Sequence, residues 1–109
     1  MSNGNVNGTK EPGFFNGGEI NFSEPLATTI AGTTTEAVPE NLNRKYLAVC
    51  NDSDEVMYLS FNRDAVMNRG IRLNANGGTL ELVGPHIFTS AINAICASGS
   101  KELIYQEGY

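Results

Sequence analysis

Few residues in this chain have the types and spacing that catalysis or metal binding requires. There are two cysteines, Cys50 and Cys96, and one histidine, His86. A metal centre needs several converging ligands. The cysteines stand far apart, each inside an apolar run, and His86 follows Gly84-Pro85. Two buried free thiols are expected. A disulfide is geometrically conceivable if their strands are neighbours. Nucleophilic catalysis needs a nucleophile beside an activating base. Ser90 and Cys96 are the nearest partners for His86, and neither sits in a nucleophile elbow. His86 is therefore read as a solvent-facing or turn-bonding side chain. Asp52, Asp54 and Glu55 mimic a carboxylate pair, but neighbouring turn residues point apart. They read as a solvated acidic turn, without the later ligands and glycine of a calcium loop. Gly77-Gly78 is followed by no Lys-Ser/Thr and lacks dinucleotide spacing, so it reads as a turn. No catalytic residue, metal or cofactor is expected.

Two groups suited to contact remain. Arg63, Arg69 and Arg72 surround one loop. They form either a solvated rim or a contact with an acidic partner, whose carboxylates a guanidinium binds in bidentate fashion. Phe14, Phe15 and Phe22, with Ile20, are apolar anchors among Asn and Gly. They either fold back onto their own domain or order on a partner surface. Gly17-Gly18 supplies the turn freedom that both arrangements need.

The composition narrows the class. The chain has 109 residues, with 12 acidic and 7 basic side chains and a net charge of −5. One domain is expected. Thinly spread Lys and Arg exclude a nucleic-acid groove. No stretch approaches the roughly 20 apolar residues of a membrane span. The first residues, Met1-Ser2-Asn3-Gly4-Asn5, have neither a basic start nor an apolar centre. No secretory signal is expected, and the protein is expected to be made in the cytoplasm. Asn, Gly, Thr and Ser dominate and Trp is absent, which disfavours long helices.

These contact residues need elements to hold them. Residues 1–24 read as a flexible, extended N-terminal arm and 25–109 as the folded domain. Leu26–Ile30 and Thr33–Val38 are Thr-rich extended pieces around Gly32. Arg44–Cys50 reads as a central strand covered on both faces, and Val56–Phe61 as its antiparallel hairpin partner across the Asn51–Asp54 turn. Residues 62–70 are the one place for a helical turn, and read as a long loop packing Val66 or Met67 beneath it. Ile71–Leu73 with Arg72 outward, Thr79–Val83 with Leu80 and Leu82 inward, Ala91–Ala97 and Lys101–Glu107 complete the strands. Six to eight short strands about 8–12 residues apart predict an all-β, antiparallel β-sandwich, jelly-roll-like. A core of this size is modest, so oligomerisation is expected to help stability.

From Asn43 to Gly108 the chain resembles small virion proteins of tailed bacteriophages. The resemblance rests on Asn43-Arg44-Lys45-Tyr46-Leu47 with the Asn51-x-Ser53 turn, and on Val56-x-Tyr58-Leu59-Ser60 and Gly70-Ile71-Arg72-Leu73. It continues in Ala91-Ile92-x-Ala94-Ile95-x-Ala97-Ser98-Gly99 and the closing Glu107-Gly108. It implies a β-sandwich without catalytic residues, most like a capsid decoration or cement protein. Such a protein binds the major capsid protein on the outer surface of the virion, as a homodimer or homotrimer, and clamps neighbouring capsomers. A head-fibre or tail component that binds a glycan or another host-surface ligand is the alternative. Deposited on a symmetric lattice, many weak copies gain avidity.

Overall fold

Alternating apolar residues between turns of Gly, Asn and Ser leave this chain little choice but short strands. A computed structural model describes residues 20–109. Its strands are β1 (Leu26–Ile30), β2 (Thr35–Val38), β3 (Tyr46–Asn51), β4 (Met57–Phe61), β5 (Ile71–Leu73), β6 (Thr79–Val83), β7 (Ile92–Cys96) and β8 (Lys101–Gly108). They form two antiparallel sheets of four strands packed as a β-sandwich, in the orders β1-β8-β3-β6 and β2-β7-β4-β5. The pairing is nested. β4 pairs with β5, β3 with β6, β2 with β7 and β1 with β8, as in one long hairpin rolled up on itself. The β3–β8 and β4–β7 pairs complete the sheets.

The core lies between the sheets. Leu47, Val49 and Leu103 from one sheet face Met57, Leu59 and Ile92 from the other, all at most 1% exposed. β3 is internal to its sheet, as expected. Only Leu47, Val49 and Asn51 are buried, however, while the alternate Tyr46, Ala48 and Cys50 are half-buried. The expectation of full cover on both faces is corrected here. So is the expectation of two buried thiols: both cysteines are free, Cys96 is buried and Cys50 half-buried, and they lie in different sheets.

The expected hairpin of β3 with β4 does not form, because these strands belong to opposite sheets. The buried amide of Asn51 turns the chain across the sandwich. Its Nδ2 donates to Glu55 O at 2.6 Å and Leu73 O at 3.1 Å, and Ser53 Oγ donates to its Oδ1 at 2.7 Å. This corner sets the apolar faces of β3 and β4 against each other across the core. A flat hairpin would leave both needing cover.

The 62–70 loop contains no helical turn. Asn62 and Asn68 adopt left-handed backbone with φ of 60° and 66°, and Gly70 follows at 84°. Such residues interrupt a right-handed helix. Ala65 is the side chain it buries, whereas Val66 is 50% exposed and Met67 half-buried.

One end of the sandwich is held by a residue whose role the sequence conceals. Arg44 is 2% exposed. Its Nε donates to Glu107 Oε2 at 2.7 Å, Nη1 to Phe88 O at 2.8 Å and Ser90 O at 3.2 Å, and Nη2 to Pro39 O at 2.8 Å. One planar guanidinium thus ties two loops to β8, a geometry that its rigid fork of donors permits.

Candidate functional site

The two sheets present different outer faces. The outer face of β2-β7-β4-β5 is crossed by the 62–70 loop. Asn93 Nδ2 on β7 donates to Arg63 O at 2.6 Å, Tyr58 on β4 donates its hydroxyl to Asn68 Oδ1 at 3.0 Å, and Ala65 N donates to Thr34 Oγ1 at 2.8 Å. On this face even Ile95 is only 8% exposed.

That pinned loop carries the arginines singled out from sequence. Arg63 and Arg69 lie on it and Arg72 follows on β5, and all three are exposed. Arg72 Nε donates to Asn74 Oδ1 at 2.9 Å, which fixes the direction of its fork. Val66 is exposed on the same loop, and Ile71 is exposed at the edge of the sheet. The structure therefore brings Arg63, Arg69 and Arg72 to one side of the sandwich, on backbone with few ways to move. Three of the chain's seven basic side chains fall within residues 63–72, with Asp64 as the lone acid there.

The opposite face, outside β1-β8-β3-β6, has no such cover among the described residues. Its register places three rows outward: Phe22, Gly108, Tyr46 and Val83; then Gln106, Ala48 and Glu81; then Ala27, Ile104, Cys50 and Thr79. Phe22 is 58% exposed and Val83 63%. Phe22 stands edge-on to Tyr46, with ring centroids 6.1 Å apart. Tyr46 donates its hydroxyl to Glu81 Oε2 at 2.6 Å, and this bond to a carboxylate pushes the Tyr46 pKa above the usual phenol value. Beside these rows lies a hollow of about 470 Å³, lined by Leu26, Ala27, Ala48, Cys50 and Ile104 among others.

Of the predicted aromatic anchors, Phe22 packs on its own domain, where it bridges to Gly108 at the end of β8. Phe14 and Phe15 lie outside the described residues. The hollow was missed from sequence. Its signal is present in β3 and β8, whose outward positions include small or apolar residues where a solvent face usually carries charge.

The remaining candidates are placed as follows. His86 is exposed in the loop after β6. The acidic turn is tied down. Asp54 pairs with Lys101 Nζ at 2.8 Å, which holds its carboxyl below the usual range. Glu55 accepts from the Ser98 hydroxyl and from Ser98 N, which lowers its pKa as well. Burial raises the pKa of the Cys96 thiol. Among the described residues, no group of three His, Cys, Asp or Glu side chains is placed to hold a metal. Among the described residues, no helix is long and apolar enough to cross a membrane. In comparisons with known proteins, no family model, curated protein or solved structure matched the chain.

Proposed function

We propose that this chain is a structural virion protein that binds the outside of an assembled phage capsid and stabilises contacts between capsomers. It acts by contact, as a homodimer or homotrimer on the major capsid protein. The carrying observation is the pinned arginine side. Arg63 and Arg69 on that hydrogen-bonded loop and Arg72 beside it on β5 are exposed, with apolar Val66 exposed on the same loop, on a chain of net charge −5. Guanidinium groups on backbone already held in place suit an acidic protein surface, because little loop entropy is lost on docking. We read the nested strand pairing as a jelly-roll winding, an architecture found in viral capsid and lectin domains. A ligand that prefers the assembled lattice stabilises it by mass action.

The test is re-addition of purified protein to phage heads stripped of it, with occupancy measured against protein concentration and salt. Wild type is expected to bind more weakly as salt rises. R63E/R69E/R72E is expected to lose ten-fold or more in affinity while melting as wild type does. Salt-independent binding, or equal binding by the variant, overturns this assignment. A second reading, a fibre or tail component binding a glycan, is favoured by exposed Phe22 beside the Tyr46–Glu81 pair. A glycan array positive for the free protein and lost in F22A would select it.

A further inference from the structure

We propose that the hollow outside β1-β8-β3-β6 is the docking site for this chain's own Phe14-Phe15 segment. The inference concerns the free chain and does not rest on the capsid assignment.

The first argument is where the described chain begins. Asn21 and Tyr109 exchange both backbone hydrogen bonds at 2.7 Å, and Ser23 N donates to Glu107 O at 2.8 Å. The incoming chain therefore lies as an added strand piece along the end of β8. Its side chains touch the outer face at Gly108 and Tyr46. A Cβ built on Gly108 would meet Ile20 Cγ2 at 2.7 Å, Tyr46 Cβ at 3.0 Å and the Phe22 ring at 3.2 Å. Ile20, the first described residue, thus stands on the face of the sandwich that carries the hollow.

The second argument is reach. Phe14 is six residues before Ile20; with a reversal at Gly17-Gly18, two residues run outward and four return, which leaves Phe14 ~7 Å back along the sheet from Ile20, before the length of its ring is counted. Ile104 lies four residues along β8 from Gly108, or ~13 Å. Gly17-Gly18 permits the reversal that would bring the segment back over the sheet. The proposed seat of the segment is the part of the hollow next to the Gly108–Tyr46 and Gln106–Ala48 rows.

The third argument is chemical fit. Leu26, Ala27, Ala48, Cys50 and Ile104 line the hollow, and no lining residue is charged. Small side chains give it depth, and Ile104 is 38% exposed at its floor. Residues 12–18, Pro-Gly-Phe-Phe-Asn-Gly-Gly, are also uncharged, and Phe14 and Phe15 are the only aromatic residues among 1–19. Each phenyl ring buries a large area at the cost of two rotatable bonds. About 470 Å³ is room for such a ring without displacing the sheet.

Cys50 supplies the assay, since it lines the hollow as a free, half-buried thiol, while Cys96 is 0% exposed. Full-length protein and the variant F14A/F15A are alkylated with iodoacetamide, and each site is followed by peptide mass spectrometry. Cys50 is expected to react at least ten-fold faster in the variant, with Cys96 unchanged as the check on global unfolding. The protection is expected to persist on dilution, and NOEs are expected between the Phe14 and Phe15 rings and the methyls of Ala48 and Ile104. Equal Cys50 rates in the two proteins overturn the inference. So does protection lost on dilution, which would make the occupant a second copy. Neither result changes the salt-dependent binding that tests the arginine side.

Discussion

Replacing Arg44 with alanine is expected to remove a large share of the domain's stability. Arg44 is 2% and Glu107 8% exposed, and their charged atoms are 2.7 Å apart. Truncation leaves the Glu107 carboxylate with Asn41 Nδ2, at 3.5 Å, as its side-chain donor among the described residues. The Phe88, Ser90 and Pro39 carbonyls lose a donor together. Breaking a buried ion pair by removing one partner costs about 3–5 kcal/mol. Against a typical total of about 5–15 kcal/mol, that is about a fifth of the stability or more. The melting temperature is expected to fall by ~15 °C or more. Urea denaturation at unchanged m-value, with thermal melting, measures it. R44K is expected to recover little, because one compact ammonium does not span the positions that the guanidinium fork reaches. R44M/E107L is expected to be at least about 1 kcal/mol more stable than R44A, because no buried carboxylate is left uncompensated. An R44A cost under about 1 kcal/mol, or a double variant no better than R44A, would refute the account of Arg44 as the tie between loops and sheet.

Three other outcomes are expected. N51A should cost about 2 kcal/mol or more in urea melts, because buried Asn51 closes the corner between the sheets through three side-chain hydrogen bonds. G70A should cost ~1–3 kcal/mol, since φ is +84° and a Cβ would sit 2.4 Å from Leu59 O; G77A, with φ +112° and open space, should cost less. Acid should weaken the fold through Glu55. Its carboxyl is held below the ordinary value of 4.5, so its stabilising contribution is present at neutral pH and fades as pH falls below that value. E55Q should flatten the acid limb of a stability-against-pH curve, and an unchanged limb would rule Glu55 out.

The strands were legible because their pattern is local. Leu80 and Leu82 alternate with Thr79 and Glu81, and glycine turns bound most runs. Ala91–Ala97 reads as strand despite its alanines, and β7 buries Ile92, Ala94 and Cys96 on one face. The arginines were legible as a group because one loop and the first residues of the strand after it hold all three. Sheet membership was not. Whether β4 continues beside β3 or crosses the core depends on Asn51 meeting Leu73, a contact between residues 22 positions apart. The Arg44–Glu107 tie spans 63 positions and leaves no local trace. The hollow needs three strands in register before its small residues line up. The long loop at 62–70 was legible, but not that it buries Ala65 in place of Val66 or Met67, because the left-handed backbone of Asn62 and Asn68 leaves no trace in a hydrophobic period.

β8 follows β1 and β3 in the sequence, yet it lies between them in their sheet. While a ribosome is still adding residues 101–108, the nascent chain carries β1 and β3 with bare edges and nothing to join them. At about 5–20 residues per second that exposure is brief, but it recurs for every copy synthesised. A chain that lacked residues 101–108 would have a sheet that cannot close, with sticky strand margins open to proteases and aggregation.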